Sequence, residues 1–167
     1  DTIDDTYVEK AVKILDENPN IGIVYCKARF IGAKNGLWLL DDFDENKILF
    51  RNCIFCSALF RKSDFLKVGK YNPNMEYGCE DWDLWLSFIE NGFKVYHIDE
   101  VLFNYRQHQI SRTKFCSNHT NEVFAQIFEN HKDMYLKNKN YICTAFNLYH
   151  YNDYLKSEIN TQIAEMK

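Results

Sequence analysis

The chain has 167 residues, of which 46% are hydrophobic and 16% aromatic, enough for one domain with a proper core and far from a disordered composition. Its 24 acidic and 20 basic side chains give a formal net charge of -4, which argues against a nucleic-acid partner because such binders carry a basic excess or stripe. No apolar run approaches the roughly 18 residues needed to span a bilayer, and no signal-peptide pattern is seen, so a soluble cytoplasmic protein is expected.

The opening "DTIDDTYVEKAV" starts without Met or a preceding strand and reads as the continuation of something longer. Thr6 and Glu9 have capping-box spacing ahead of apolar Val8, Val12 and Leu15, which predicts a helix over about 6–17 closed by Asn18-Pro19. "IGIVYCKARFIG" is dense in β-branched and aromatic residues and predicts a strand. Lys34-Asn35-Gly36 supplies turn chemistry before a short second strand, "LWLL", and "DDFDEN" reads as a solvated loop.

"NCIFCSALF" is apolar at nearly every position, the pattern of a strand covered on both faces. "KSDFLKVG" fits a helical turn ending at Gly69, and the loop "KYNPNMEYGC" leads to a helix over about 80–91 with Gly92 as its cap. "FKVYHI" and "VLFNYR" predict two further strands, so strands alternate with helices as in α/β layering. From about residue 116 the character changes to long helical patterns. The last carries a stripe at Leu148, Tyr151, Leu155, Ile159, Ile163 and Met166, which suits packing on the body or self-association. The six cysteines include one C-x-x-C pair, Cys53 and Cys56, with no second pair to complete a zinc site. They read as reduced, buried thiols.

The helix that starts at Glu80 separates two neighbouring acids. At about 100° per residue, Trp82, Trp85, Leu86 and Ile89 share one arc, widened by Leu84 and Phe88. Glu80, Asp83, Ser87 and Glu90 occupy the opposite, polar arc, where a first-turn acid complements the helix dipole. Asp81 falls inside the apolar arc. There a carboxylate loses hydration and its pKa rises, which suits a general base, although turning back to cap the backbone would also explain it.

The run from "ILFRNCIFCSALFRKSDF" through "VGKYN", "EDWDLWL" and "ENGFKVYHI" to "YRQH" and a Ser resembles the second half of the catalytic domain of inverting family 2 glycosyltransferases, over roughly residues 1–113. The resemblance implies an α/β fold, a partial GT-A α/β/α sandwich lacking its N-terminal nucleotide-binding half. It implies a division into 1–115, the acceptor-side half, and 116–167, a helical C-terminal extension. It also implies that Asp81 is the general base that deprotonates an acceptor hydroxyl, with Glu80 positioning that acceptor and Trp82 contacting it. Arg106, His108, Ser111 and Arg112 are implied to meet the leaving diphosphate.

Mg²⁺ or Mn²⁺ is expected in the intact enzyme, with His108 and Asp1 as candidate ligands, although no D-x-D triplet stands in this sequence. The partners implied are a nucleotide-sugar donor and a carbohydrate or lipid-linked acceptor. By analogy the setting is bacterial surface polysaccharide synthesis, in the cytoplasm or peripheral at the inner face of the membrane. The isolated chain is expected to be inactive, since the donor half is absent from it. A glycoside hydrolase reading fails because Glu80 and Asp81 diverge by about 100° on one turn and cannot flank a scissile bond. The alternative from another class is a non-catalytic carbohydrate-binding or assembly module that uses its aromatics and C-terminal helices.

Overall fold

The computed structural model describes residues 1–107 and 116–165, with 158–165 as backbone only. In chain order it has β1 (Thr2–Ile3), α1 (Tyr7–Glu17), β2 (Ile21–Gly32), β3 (Gly36–Trp38), a 3-10 turn (Lys47–Leu49), α2 (Lys62–Lys67) and α3 (Glu80–Glu90). These are followed by β4 (Lys94–Gln107), α4 (Thr120–Asn130), α5 (Lys132–Lys137) and α6 (Lys139–Glu165). The protein is mixed α/β, with one four-stranded sheet in the order β1-β4-β2-β3. Only the β2–β4 pairing is parallel, as a crossover built from α2 and α3 requires.

α1 forms where expected, but Thr6 and Glu9 do not cap it. Thr6 is itself helical (φ -88°, ψ -10°) and its side chain makes no cap bond. Asp4 does the work instead, its Oδ1 accepting from the Thr6 amide at 3.0 Å and the Thr6 hydroxyl at 2.8 Å. The other end is held from a distance. The Arg61 guanidinium donates to the carbonyls of Leu15, Asn18 (3.1 Å) and Ile21 (2.8 Å), and Asp64 anchors it at 2.9 Å. It thereby adds a donor to carbonyls at the end of α1 and the start of β2, two of which also accept a backbone amide, Leu15 from Asn18 and Asn18 from Ile21.

β2 spans the predicted stretch, and Ile23 to Cys26 are all buried, as in a strand covered on both faces. The two predicted strands "FKVYHI" and "VLFNYR" are one continuous strand, β4, laddered along β2 from Ile21 opposite Lys94 to Gly32 opposite Gln107. The polar break between them is a bulge, since Cys26 faces Ile98 while the next residue, Lys27, faces Val101. The skipped acids point to lysines, Asp99 to Lys27 and Glu100 to Lys10 at 2.6 Å.

"NCIFCSALF" is not a strand. Only Leu59 pairs, exchanging two hydrogen bonds with Val24 at 2.8 and 2.9 Å. The preceding residues curl through local bonds, Ile54 N–H to Asn52 Oδ1 at 3.1 Å and Ala58 N–H to the Phe55 carbonyl at 3.1 Å. Tyr7 of α1, fully enclosed, holds this loop beside the sheet, its hydroxyl 3.0 Å from the Ser57 carbonyl and 3.3 Å from the Val24 carbonyl of β2. The residues are apolar because they are buried, whatever their backbone conformation.

α3 brings Leu84, Trp85, Leu86 and Phe88 into the core, where Phe60 packs against both Trp85 and Phe88. Gly92 (φ +79°) ends the helix, its amide bonding to the Ile89 carbonyl at 2.9 Å, in a conformation that suits glycine. The arc expected to be polar is not solvated throughout. Asp83 is buried against Asn130 and His131, and Val123 and Ile127 of α4 are buried as well. The chain divides into compact units Asp1–His131 and Lys132–Lys167, so the expected boundary at 115/116 falls inside the first. In the second unit, α6 carries exposed Leu148, Tyr151 and Leu155 of the predicted stripe, while Ile159, Ile163 and Met166 lie beyond the described side chains. No helix among the described residues is long and apolar enough to cross a membrane.

Candidate active site

The N-terminus of α3 opens onto a cavity of about 630 Å³. Asn52, Ile54, Phe55 and Cys56 of the curled loop line one side, with Trp38 of β3 and Tyr105 of β4 adding aromatic walls. Tyr71 and the residues Gly78 to Asp81 complete it, and Cys116 adds part of the rim. Trp38 ties the wall together, its ring centroid 4.7 Å from Tyr105 and 4.8 Å from Phe55. A mostly apolar hollow of this size with a few convergent polar groups is the usual form of a small-ligand site.

The turn into α3 delivers both acids there. Gly78 (φ +105°) and Cys79 (φ +61°) have left-handed backbones, a conformation uncommon for a residue with a side chain. The helix therefore starts at once with Glu80 and Asp81, both half-buried and both lining the cavity. Asp81 Oδ1 accepts the Trp82 amide at 2.8 Å, so the carboxyl does turn back to the backbone. Asn52 also hydrogen-bonds to it. Burial nonetheless pushes the Asp81 carboxyl up to about 6, helped by the charge of Glu80 and opposed by the Trp82 and Asn52 bonds. Such a group is largely ionised at neutral pH yet basic enough to take a proton from a bound hydroxyl.

The other predicted residues are placed differently. Trp82, expected to contact an acceptor, is only 4% exposed. Its Nε1 donates to the Ile48 carbonyl at 2.7 Å and its ring meets Phe124 edge-on, so it is a core anchor. Arg106 follows Tyr105 on β4 and points to the opposite face, exposed and outside the cavity lining, with its stem against Gly32. Its amide donates to Asp1 Oδ1 at 2.7 Å, which brings those two predicted residues together away from Asp81. His108, Ser111 and Arg112 lie outside the described residues.

Among the described residues no three His, Cys, Asp or Glu side chains converge to hold a metal ion. Cys53 is buried and Cys56 exposed, and no metal cluster forms around them among the described residues. Sequence reasoning passed over Asn52, Tyr71, Trp38 and Tyr105. Alternation along β4 puts Phe103 and Tyr105 on one face and could have flagged the last. Nothing local marks Asn52, whose role depends on a loop that the apolar pattern disguises. No family model matches the chain, and no curated protein matches it.

Proposed function

We propose that the chain is the acceptor-side part of an inverting, GT-A-type glycosyltransferase that moves a sugar from a nucleotide-sugar donor to an acceptor hydroxyl. The observation that carries this reading is Asp81, a carboxyl raised to about 6 by burial and facing an aromatic-walled cavity beside Glu80. In a single in-line displacement the acceptor oxygen attacks the anomeric carbon while the nucleotide diphosphate leaves from the opposite face. Asp81 takes the hydroxyl proton as the new bond forms, and Glu80 holds a neighbouring hydroxyl so that the attacking oxygen is aimed. Tyr71, Trp38 and Tyr105 present apolar ring surface on which the faces of a sugar can lie. The acceptor is accordingly a saccharide or saccharide-lipid, and the setting is cytoplasmic synthesis of a surface polysaccharide.

The test is kinetic. In the transferase that carries this segment, Asp81→Asn lowers kcat about 10²–10⁴-fold, the usual contribution of a general base, while the donor KM is kept. An unchanged rate would sink the catalytic role. It would leave the cavity as the groove of a non-catalytic carbohydrate-binding module.

A further inference from the structure

At the rim of this cavity two cysteines meet from separate parts of the chain. Cys79 caps the start of α3 and Cys116 stands just before α4, and their sulfurs are 2.7 Å apart. Both are half-buried and both line the cavity, so small molecules can reach them. The other four differ, Cys26 and Cys53 being buried and Cys56 and Cys143 exposed. The left-handed turn at Gly78 and Cys79 is fitted against this partner, since a Cβ placed on Gly78 would stand only 3.4 Å from Cys116 Cβ. Closing from 2.7 Å to the roughly 2.04 Å of a disulfide asks for a shift of well under 1 Å.

We propose that Cys79 and Cys116 are a redox modification site, joined into a reversible disulfide by exchange with a low-molecular-weight disulfide of the glutathione type. The Cys116 thiolate attacks one sulfur of the small disulfide, forming a mixed disulfide and releasing one small thiolate. Cys79 then gives up its proton and attacks Cys116 Sγ, forming the Cys79–Cys116 bond and releasing the second small thiol. The protein loses two hydrogens and the small disulfide gains them. Cys79 is the resolving partner because burial, the Cys116 thiol and the charges of Asp81 and Glu80 push its pKa up, which makes it the poorer first nucleophile.

The bond clamps the turn that presents Glu80 and Asp81 to the segment entering α4. It thereby fixes one wall of the cavity, whatever ligand that cavity takes. The proposal stands apart from the glycosyl-transfer reading, since it needs only the thiols and their exchange partner.

The experiment equilibrates the full chain with glutathione buffers of rising oxidised fraction at pH 8, alkylates the remaining thiols and maps peptides by mass. The alkylated count should fall by two from six, with a single cross-linked peptide joining Cys79 to Cys116 that dithiothreitol releases. The oxidised protein should melt several degrees higher than the reduced one. Cys79→Ser should stop at a glutathione adduct on Cys116. A count that stays at six across all buffers in folded protein would overturn the proposal, and so would a cross-link mapping to another pair. The wild-type map needs no variant, so a Cys79→Ser protein that fails to fold leaves the decision intact.

Discussion

His131 stands with Nε2 3.2 Å from Asp83 Oδ1, both side chains only 2% exposed, and with Nδ1 2.9 Å from Glu90 Oε2. The imidazole thus bridges two acids of α3, and Asn130 adds a hydrogen bond of 2.5 Å to Asp83. A buried carboxylate is tolerable only with such partners.

Burial by itself would lower the His131 pKa, but the hydrogen bonds that the imidazolium donates to Asp83 and Glu90, with the charges of both acids, outweigh it and raise it from 6.5 to about 9. The stability it contributes is therefore full below pH 6.5 and lost as pH rises through about 9. His131→Ala leaves Asp83 buried without its counter-charge and should cost about 3 kcal/mol at pH 6. Urea unfolding of wild type and variant should show this gap shrinking by pH 10. A gap independent of pH would mean that His131 is neutral in the folded protein.

Asp81 carries the opposite sign. Its folded pKa of about 6 lies above the 3.8 of a free aspartate, so the ionised carboxylate costs stability, with the cost absent below pH 3.8 and complete above about 6. Asp81→Asn should therefore stabilise the chain by about 1–2 kcal/mol at pH 8 and by little at pH 4. Under the proposed base role, the same titration predicts that kcat/KM for glycosyl transfer falls as pH drops below about 6. Equal urea midpoints for both proteins at pH 8 would show that the carboxylate is not under strain.

Trp82 separates anchoring from recognition. Trp82→Phe keeps most of the ring packing but loses the 2.7 Å bond to the Ile48 carbonyl, at a cost of about 1 kcal/mol. Trp82→Ala, which also opens a hole beside Phe124, should cost about 3–5 kcal/mol. If the cavity takes the proposed saccharide acceptor, the affinity of the folded Phe variant for it, measured by calorimetry, should match wild type. A tenfold loss would put the indole back among the ligand contacts.

Gly22 marks a close approach between β2 and the end of α3. A Cβ there would lie 2.6 Å from Phe93 Cβ and 2.8 Å from Phe88 Cδ1, Phe93 being half-buried and Phe88 fully buried. Gly22→Ala should thus destabilise by about 2–3 kcal/mol in thermal or urea unfolding. A neutral result would mean that the aromatic pair can slide aside.

Much of this architecture follows from local signals. β2 coincides with its predicted span because β-branched and aromatic residues stand near both of its ends, Ile21, Ile23, Val24 and Tyr25 at one and Phe30 and Ile31 at the other. α1 and α3 start and stop within a residue or two of the spans their apolar period and end signals predict. The misreadings arise where distant residues decide. Asp83 reads as a solvated acid on a helical wheel because the wheel cannot contain His131, 48 positions away. The stretch 52–60 reads as a strand because apolar runs report burial and leave backbone conformation open. In the cavity, Glu80 and Asp81 were legible from α3 itself, whereas Asn52, Trp38 and Tyr105 arrive from three other segments. The resemblance implied that Trp82 contacts an acceptor, but its place on the apolar arc of α3 turns it into the core.

The parallel ladder between β2 and β4 has a kinetic consequence. Gly32 cannot meet Gln107 until the stretch between β2 and β4 has closed as a loop, an entropic cost that the β2–β3 hairpin and the Leu59–Val24 bonds reduce only in part. That loop contains Trp38, Asn52, Tyr71, Glu80 and Asp81, so most of the cavity wall is gathered only when the ladder zips. Substitutions that slow the pairing of β2 with β4 should therefore also delay assembly of the cavity.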